Sequence, residues 1–235
     1  MREEGAGGVK IEVLATGRAR VSAVNPGARF DLPWDRYRQL EACAHAVRGI
    51  LFAKPESTVL DAGGTDGALA LFLPEYTVEV VKCGTEGGGM FDAESKGHDV
   101  VVATDVIEHL EPRRRAVFIA QMARACRLAC VLNFPLPTSS TAQKIVASLT
   151  GDARIKDHIR FGLPYASTVW KHFEDMGFSC SSVQHTSRSL WATYQALQHC
   201  DGAAALTISR FLIEDAPDAP AGDCLYETVV ARRNP

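Results

Sequence analysis

Thr58-Val-Leu-Asp-Ala-Gly-Gly-Thr-Asp-Gly67, continued by Ala68-Leu-Ala-Leu-Phe-Leu73, is the stretch on which the fold turns. A short apolar run closes on an acidic residue, glycines crowd the next positions, and an apolar segment of helical character follows. This order reads as strand, glycine turn, helix. A glycine after a buried strand lets a ligand approach the backbone, because no Cβ stands in the way. The helix that follows offers unpaired N–H groups and the positive end of its dipole. In an open α/β sheet, such a turn borders the cofactor crevice. The G-x-G-x-x-G spacing of dinucleotide sites is not met by Gly63-Gly-Thr-Asp-Gly67. Asp61 disfavours a phosphate-bearing ligand and suits one with an ammonium group.

Outward from this turn, Thr77–Val81 reads as a second strand, and residues 82–89 form a glycine-rich loop. A short third strand is expected near Met90–Phe91. Within His98–Thr104, the run Val100-Val-Val-Ala103 has the composition of a parallel strand buried on both faces. Arg113–Arg127 is amphipathic, with Ile119, Met122, Ala123 and Cys126 on one stripe, and Ala129–Asn133 is the next strand. Alternation of this kind predicts a parallel sheet. Upstream, Val9–Leu14 and Arg20–Val24 predict a hairpin. A helix is expected from Pro33 to Phe52, where Tyr37, Leu40, Ala44, Val47 and Leu51 recur at helical spacing. Beyond Pro135, helices are expected over Ser139–Leu149, Tyr165–Met176 and Leu190–Leu212, the last broken at Asp201-Gly202. Ser179–Gln184 and Leu225–Arg232 read as strands.

The 235 residues suit one α/β domain with embellishments, and 46% hydrophobic with 23% charged residues is ordinary for a water-exposed globular chain. A net charge of −3 gives no reason to expect a nucleic-acid partner. The densest basic cluster, Arg113-Arg-Arg115, reads as a solvated helix face. Cys43, Cys83, Cys126, Cys130, Cys180, Cys200 and Cys224 are an odd, scattered set, unlike a disulfide framework and without the close pairs of a zinc quartet. Met1–Gly8 has no apolar core, and no run approaches the roughly 18 apolar residues of a membrane span. A cytoplasmic protein in a reducing compartment is therefore expected. Oligomeric state is not legible.

Val59–Gly67 resembles the first motif of the class I S-adenosylmethionine (SAM)-dependent methyltransferases. Phe91-Asp-Ala-Glu and His98–Leu110 resemble their third and fourth motifs, especially in the small-molecule group. The likeness covers about residues 56–135. It implies a Rossmann-like, doubly wound α/β fold: a mostly parallel sheet with helices on both faces and an antiparallel last strand. It implies SAM as cofactor, with Asp61, Gly63, Gly64 and Gly67 around its methionine part. Asp92 would accept from the adenine amino group, and Asp105 would lie beside the methyl-transfer site. In the family, the second strand ends in an acidic residue that grips the ribose; here Lys82 stands at that place, and Glu86 is the available substitute. Thr65 replaces the middle glycine of the family's run. These departures leave a non-catalytic binding or scaffold protein on the same fold as the alternative. A Cβ branch at Gly63 is expected to fill cofactor space and leave the fold intact.

Asp105, Glu108 and His109 are spaced i, i+3, i+4 and share a face if their turn is helical. A metal site or a general-base pair is conceivable; the reading taken is that Glu108 and His109 shape the loop, with no metal. His158, in the region where this fold builds its acceptor pocket, is a candidate to accept a proton from a hydroxyl nucleophile. The candidate catalytic set is thus His158, Asp105 and His109. Trp170, Phe173, Phe178, Trp191 and Tyr194 are candidates for an apolar pocket wall or plain core. The expected organisation is an N-terminal hairpin extension (1–32) and a methyltransferase-like domain (33–235) with an acceptor-site insertion at about 136–212. The acceptor would be a small molecule or a glycan, methylated at oxygen or nitrogen.

Overall fold

The computed structural model describes residues 7–15, 17–52, 54–83, 91, 96–216 and 218–234. Its strands are β1 (Val9–Ala15), β2 (Arg18–Ala23), β3 (Thr58–Ala62), β4 (Thr77–Val81), β5 (His98–Thr104), β6 (Cys126–Pro135), β7 (Phe178–Ser187) and β8 (Cys224–Arg233). They form one eight-stranded sheet in the order β1-β2-β4-β3-β5-β6-β8-β7. The central four, β4, β3, β5 and β6, are parallel. β8 runs antiparallel between β6 and β7, as expected of the last strand.

Successive side chains of a strand point to opposite faces, and the sheet uses this to feed two cores. Val59, Val78, Val80, Val100, Val102 and Val131 pack on one face, against α1 (Trp34–Leu51) and α2 (Leu69–Phe72). Leu60, Val101, Ala103, Leu132 and Phe134 pack on the other, against α3 (Pro112–Ala125) and α6 (Ala166–Glu174). Such strands have no polar side to show, which is why Val100–Ala103 reads as a continuous apolar run.

The remaining helices are α4 (Ser140–Thr150), α5 (Ala153–Phe161), α7 (Arg188–Cys200) and α8 (Gly202–Asp215). With Trp34, Leu225 and Tyr226 they build a third, smaller core. Through α5, which packs on the turn after β5, they cover the carboxyl ends of the parallel strands.

The N-terminal hairpin forms as expected, but it is part of the main sheet. β2 pairs antiparallel with β4, Arg18 to Val81 through Val21 to Val78. Across this seam Glu79 accepts from Arg18 (2.9 Å) and Arg20 (3.4 Å), and away from the seam it meets His98 Nε2 of β5 (3.2 Å). Of the third strand expected near Met90–Phe91, Met90 lies outside the described residues. Phe91 is a buried core residue stacked edge-on to Phe118.

Arg113-Arg-Arg115 is not uniformly a solvated face. Arg115 turns inward and donates to the carbonyls of Ile107 and Leu110 (3.1 Å each), Phe161 (3.3 Å) and Gly162. It stitches the turn after β5 to the end of α5.

Candidate functional site

A cavity of about 880 Å³ opens above the carboxyl ends of β3 and β5. Gly63, Thr65 and Asp66 border it from the glycine turn, and Asp105, Val106 and His109 from the turn after β5. The covering helices add Gln143, Ile155, His158, Trp191 and Gln195. This volume lies inside the roughly 300–1,000 Å³ span of small-molecule sites.

The glycine turn is shaped first by packing. Gly63 has φ +98°, and a Cβ there would stand 2.5 Å from Val106 Cγ2. A Cβ on Gly67 (φ +70°) would stand 2.8 Å from Val21 of the hairpin, and one on Gly64 would overlap the Asp61 carboxylate. Gly63 borders the cavity, but its missing side chain makes room for Val106. The expectation that a branch there spares the fold is therefore corrected.

Behind the turn, Asp61 is buried, and desolvation pushes its pKa up to about 7 against the pull of Arg36. α2 is a single turn, so the aligned dipole expected to face a ligand is small. The positive charge comes from α1 instead. Arg36 Nη2 lies 3.6 Å from Asp66 Oδ1. The charges of Asp66, Asp105 and Asp61 hold its pKa up against burial.

Asp105 takes a left-handed backbone conformation (φ +56°), and its carboxylate accepts from Gln39 Nε2 at 2.8 Å. Residues 107–109 follow as one 3-10 turn. Glu108 is fully buried, and neither carboxylate oxygen has a hydrogen-bond partner among the described residues. Burial, then the neighbouring Asp105 charge, push its pKa well up. His109 points into the cavity and meets His158, with 3.2 Å between the two Nε2 atoms.

His158 rides on α5, whose start is capped by Asp152 Oδ1 accepting from Arg154 N (2.7 Å). A polar relay sets its tautomer. Ser139 Oγ donates to the Leu136 carbonyl (2.6 Å), so it accepts from Gln143 Nε2 (3.1 Å). Gln143 Oε1 therefore faces His158 Nδ1 (2.7 Å), which carries the proton. The Nε2 lone pair is left aimed at His109. Burial, then the neighbouring His109, bring the His158 pKa down to about 4, and burial lowers that of His109. Both rings are neutral at pH 7, and His158 is a weak base.

The structure thus brings Asp105, His109 and His158 together with Gly63 at the rim, and sets Asp61 one layer behind. Gly64 and Gly67 support the turn from outside the cavity lining. Glu86 and Asp92 lie outside the described residues. Of the five late aromatics, Trp191 lines the cavity; Phe173, Phe178 and Tyr194 are core, and Trp170 packs against it. Sequence reasoning passed over Asp35, Arg36, Gln39, Gln143 and Gln195. Their one visible signal is polarity on the inward face of a helix. Asp35 and Gln39 are one turn apart on α1, and Gln39 is 1% exposed. Asp35 accepts from Trp191 Nε1 (3.2 Å) and Gln195 Nε2 (2.9 Å), tying α1 to α7.

No family model matches the sequence, and no curated protein matches it. Among solved structures, the fold is similar to that of a candidate sarcosine dimethylglycine methyltransferase from Galdieria sulphuraria. The identity is 13%, 85% of this chain and 86% of that chain are covered, and the TM-score is 0.52. A SAM-dependent methyltransferase from Archaeoglobus fulgidus aligns at 16% identity, over 81% of this chain and 92% of its own, with a TM-score of 0.49. The first likeness shows a Rossmann-like α/β fold.

Proposed function

We propose that the chain is a SAM-dependent methyltransferase acting on a small-molecule or glycan-type acceptor at oxygen or nitrogen. One observation carries the reading: Arg36 sits among Asp61, Asp66 and Asp105 where the glycine turn meets the cavity. A ligand bearing a carboxylate, an ammonium group and a cationic sulfur finds an opposite charge for each. Arg36 would take the carboxylate and Asp66 the ammonium, with Asp61 behind them, and Asp105 would lie nearest the sulfur. When bound, SAM supplies a methyl group activated by positive charge on its sulfur.

The chain's own residues do the positioning, the main requirement of an in-line displacement. Gln39 holds the Asp105 carboxylate, and the Asp35–Trp191–Gln195 contacts fix α7 over α1. In this reading residues 136–212 are the acceptor half, contributing Gln143, Ile155, His158, Trp191 and Gln195, and residues 1–32 are an edge-capping extension.

A second reading, a binding protein without catalysis, is favoured by the flank where a ribose would lie. The Lys82 N–H is bonded to Gly17 O (2.8 Å), and a small cavity of about 170 Å³ there is walled by Gly17, Arg18, Thr65 and Lys82. Calorimetric titration of chelator-treated protein with SAM, S-adenosylhomocysteine and NADH separates the two. The methyltransferase reading expects the first two to bind and NADH to fail. Arg36→Ala should weaken SAM about 10–100-fold, the loss of a charge-assisted hydrogen bond of roughly 1.5–3 kcal/mol. No heat with millimolar SAM would leave the second reading standing.

A further inference from the structure

Glu108, His109 and His158 each offer one ligand atom, and the three atoms lie within 4.8 Å of one another. We propose that this trio is a divalent transition-metal site, with Zn²⁺ its best-matched ion and its open positions facing the acceptor side of the cavity.

Several independent features support it. Two imidazole nitrogens about 2.0–2.1 Å from one tetrahedral ion are about 3.3–3.4 Å apart, and the two Nε2 atoms stand at 3.2 Å. The lone pair of His158 is presented, not incidental. The relay from Leu136 through Ser139 and Gln143 puts the proton on Nδ1, the outer hydrogen bond that metal-binding histidines ordinarily make. Glu108 supplies the second line of argument. A fully buried carboxyl whose two oxygens have no hydrogen-bond partner among the described residues is costly to keep. A cation between it and the histidines removes that cost. The three donors are also held from outside. Arg115 bonds the carbonyls of Ile107 and Leu110, on either side of Glu108 and His109, and those of Phe161 and Gly162 at the end of the His158 helix.

Two imidazoles and one carboxylate suit borderline first-row ions and leave open positions. Asp105 and Val106 border the same cavity as His109 and His158. An ion here would meet the acceptor and polarise an oxygen on it. The acceptor class is then a hydroxyl compound, a consequence that rests on the methyltransferase reading; the metal site itself does not.

The test uses the full chain, stripped with chelator and free of SAM. It is titrated with Co²⁺, followed by visible absorption, and with Zn²⁺, followed by calorimetry. One equivalent of each should bind. His109→Gln and His158→Gln should abolish that equivalent, and Glu108→Gln should weaken it. Gln143→Leu, which leaves every ligand in place, should weaken it about 10–100-fold. His199→Gln, on an exposed position, should change nothing. Thermal unfolding of each variant checks that the fold persists. Because Gln143→Leu replaces no ligand and acts only through the outer hydrogen bond to His158, it decides the matter even if a ligand variant misfolds: unchanged affinity in that variant would overturn the site. A wild-type chain that binds no equivalent overturns the site, as does binding that survives both histidine substitutions. SAM binding without metal binding removes this inference alone, whereas metal binding without SAM binding removes only the methyltransferase reading.

Discussion

Replacing Gly63 by alanine tests whether the glycine turn is built for the protein or for its ligand. At φ +98° an L-residue is strained, at a cost of roughly 1–2 kcal/mol. The new methyl carbon would stand 2.5 Å from Val106 Cγ2, well inside contact distance. Val106 is 8% exposed and packs in the core on all sides but the one that borders the cavity, so relief means turning its methyls toward that opening and giving up core contacts. Overpacking of this kind costs about 1–3 kcal/mol. Together the two effects predict a loss of about 2–5 kcal/mol, a large part of the roughly 5–15 kcal/mol that holds a domain together. Urea denaturation of both proteins measures it. The two causes are separable, because Val106→Ala removes the obstructing methyls and leaves the backbone strain. A double-mutant cycle should show Gly63→Ala costing about 1–3 kcal/mol less in the Val106→Ala background. A Gly63→Ala protein within about 0.5 kcal/mol of wild type, or strict additivity in the cycle, would refute the packing argument and return the glycine to the ligand.

Asp61 makes stability depend on pH. Its folded pKa of about 7 lies above its ordinary 3.8, so its contribution is full below 3.8 and is lost as pH rises through 7. Between pH 5 and pH 8 the wild-type chain should lose about 2–3 kcal/mol that Asp61→Asn does not, measured by denaturant titration at each pH. Glu79 behaves oppositely. Its hydrogen bonds to His98 and Arg18 outweigh burial and lower its pKa, so its contribution is present above 4.5 and lost as pH falls further. Glu79→Gln should cost about 1–3 kcal/mol at pH 7, speed hydrogen exchange in β1 and β2, and approach wild-type stability near pH 3.

The parallel centre of the sheet was legible because burial on both faces writes itself into composition. Val100–Ala103 and Thr77–Val81 could hardly be anything but strands. α5 was not legible. Of its residues only Ile155 is buried, so Ala153–Phe161 carries no apolar stripe. The helix rests on the Asp152 cap and its packing on the turn after β5. For the same reason, the spacing of Asp105, Glu108 and His109 was visible while their partner was not. His158 reaches His109 across 49 residues only because Arg115 and Gln143 hold α5 in place. The seat of the hairpin was hidden too. Its pairing with β4 joins residues about 60 apart, and nothing local to Arg18–Ala23 names that partner.

That pairing also sets an order of assembly. Residues 9–23 are translated well before residues 77–81, and the strand they will flank does not yet exist when they emerge. An isolated two-stranded ribbon is marginal in water. The hairpin therefore waits, unpaired along one edge, until β3 and β4 have come together and given it a place to dock. The seam between β2 and β4 must close a loop of more than 50 residues, the kind of long-range step that slows folding. The earliest-made strands of this sheet thus have no place in it before β4 is made, and until Glu79 arrives, Arg18 and Arg20 keep an exposed edge charged and discourage it from pairing with another chain.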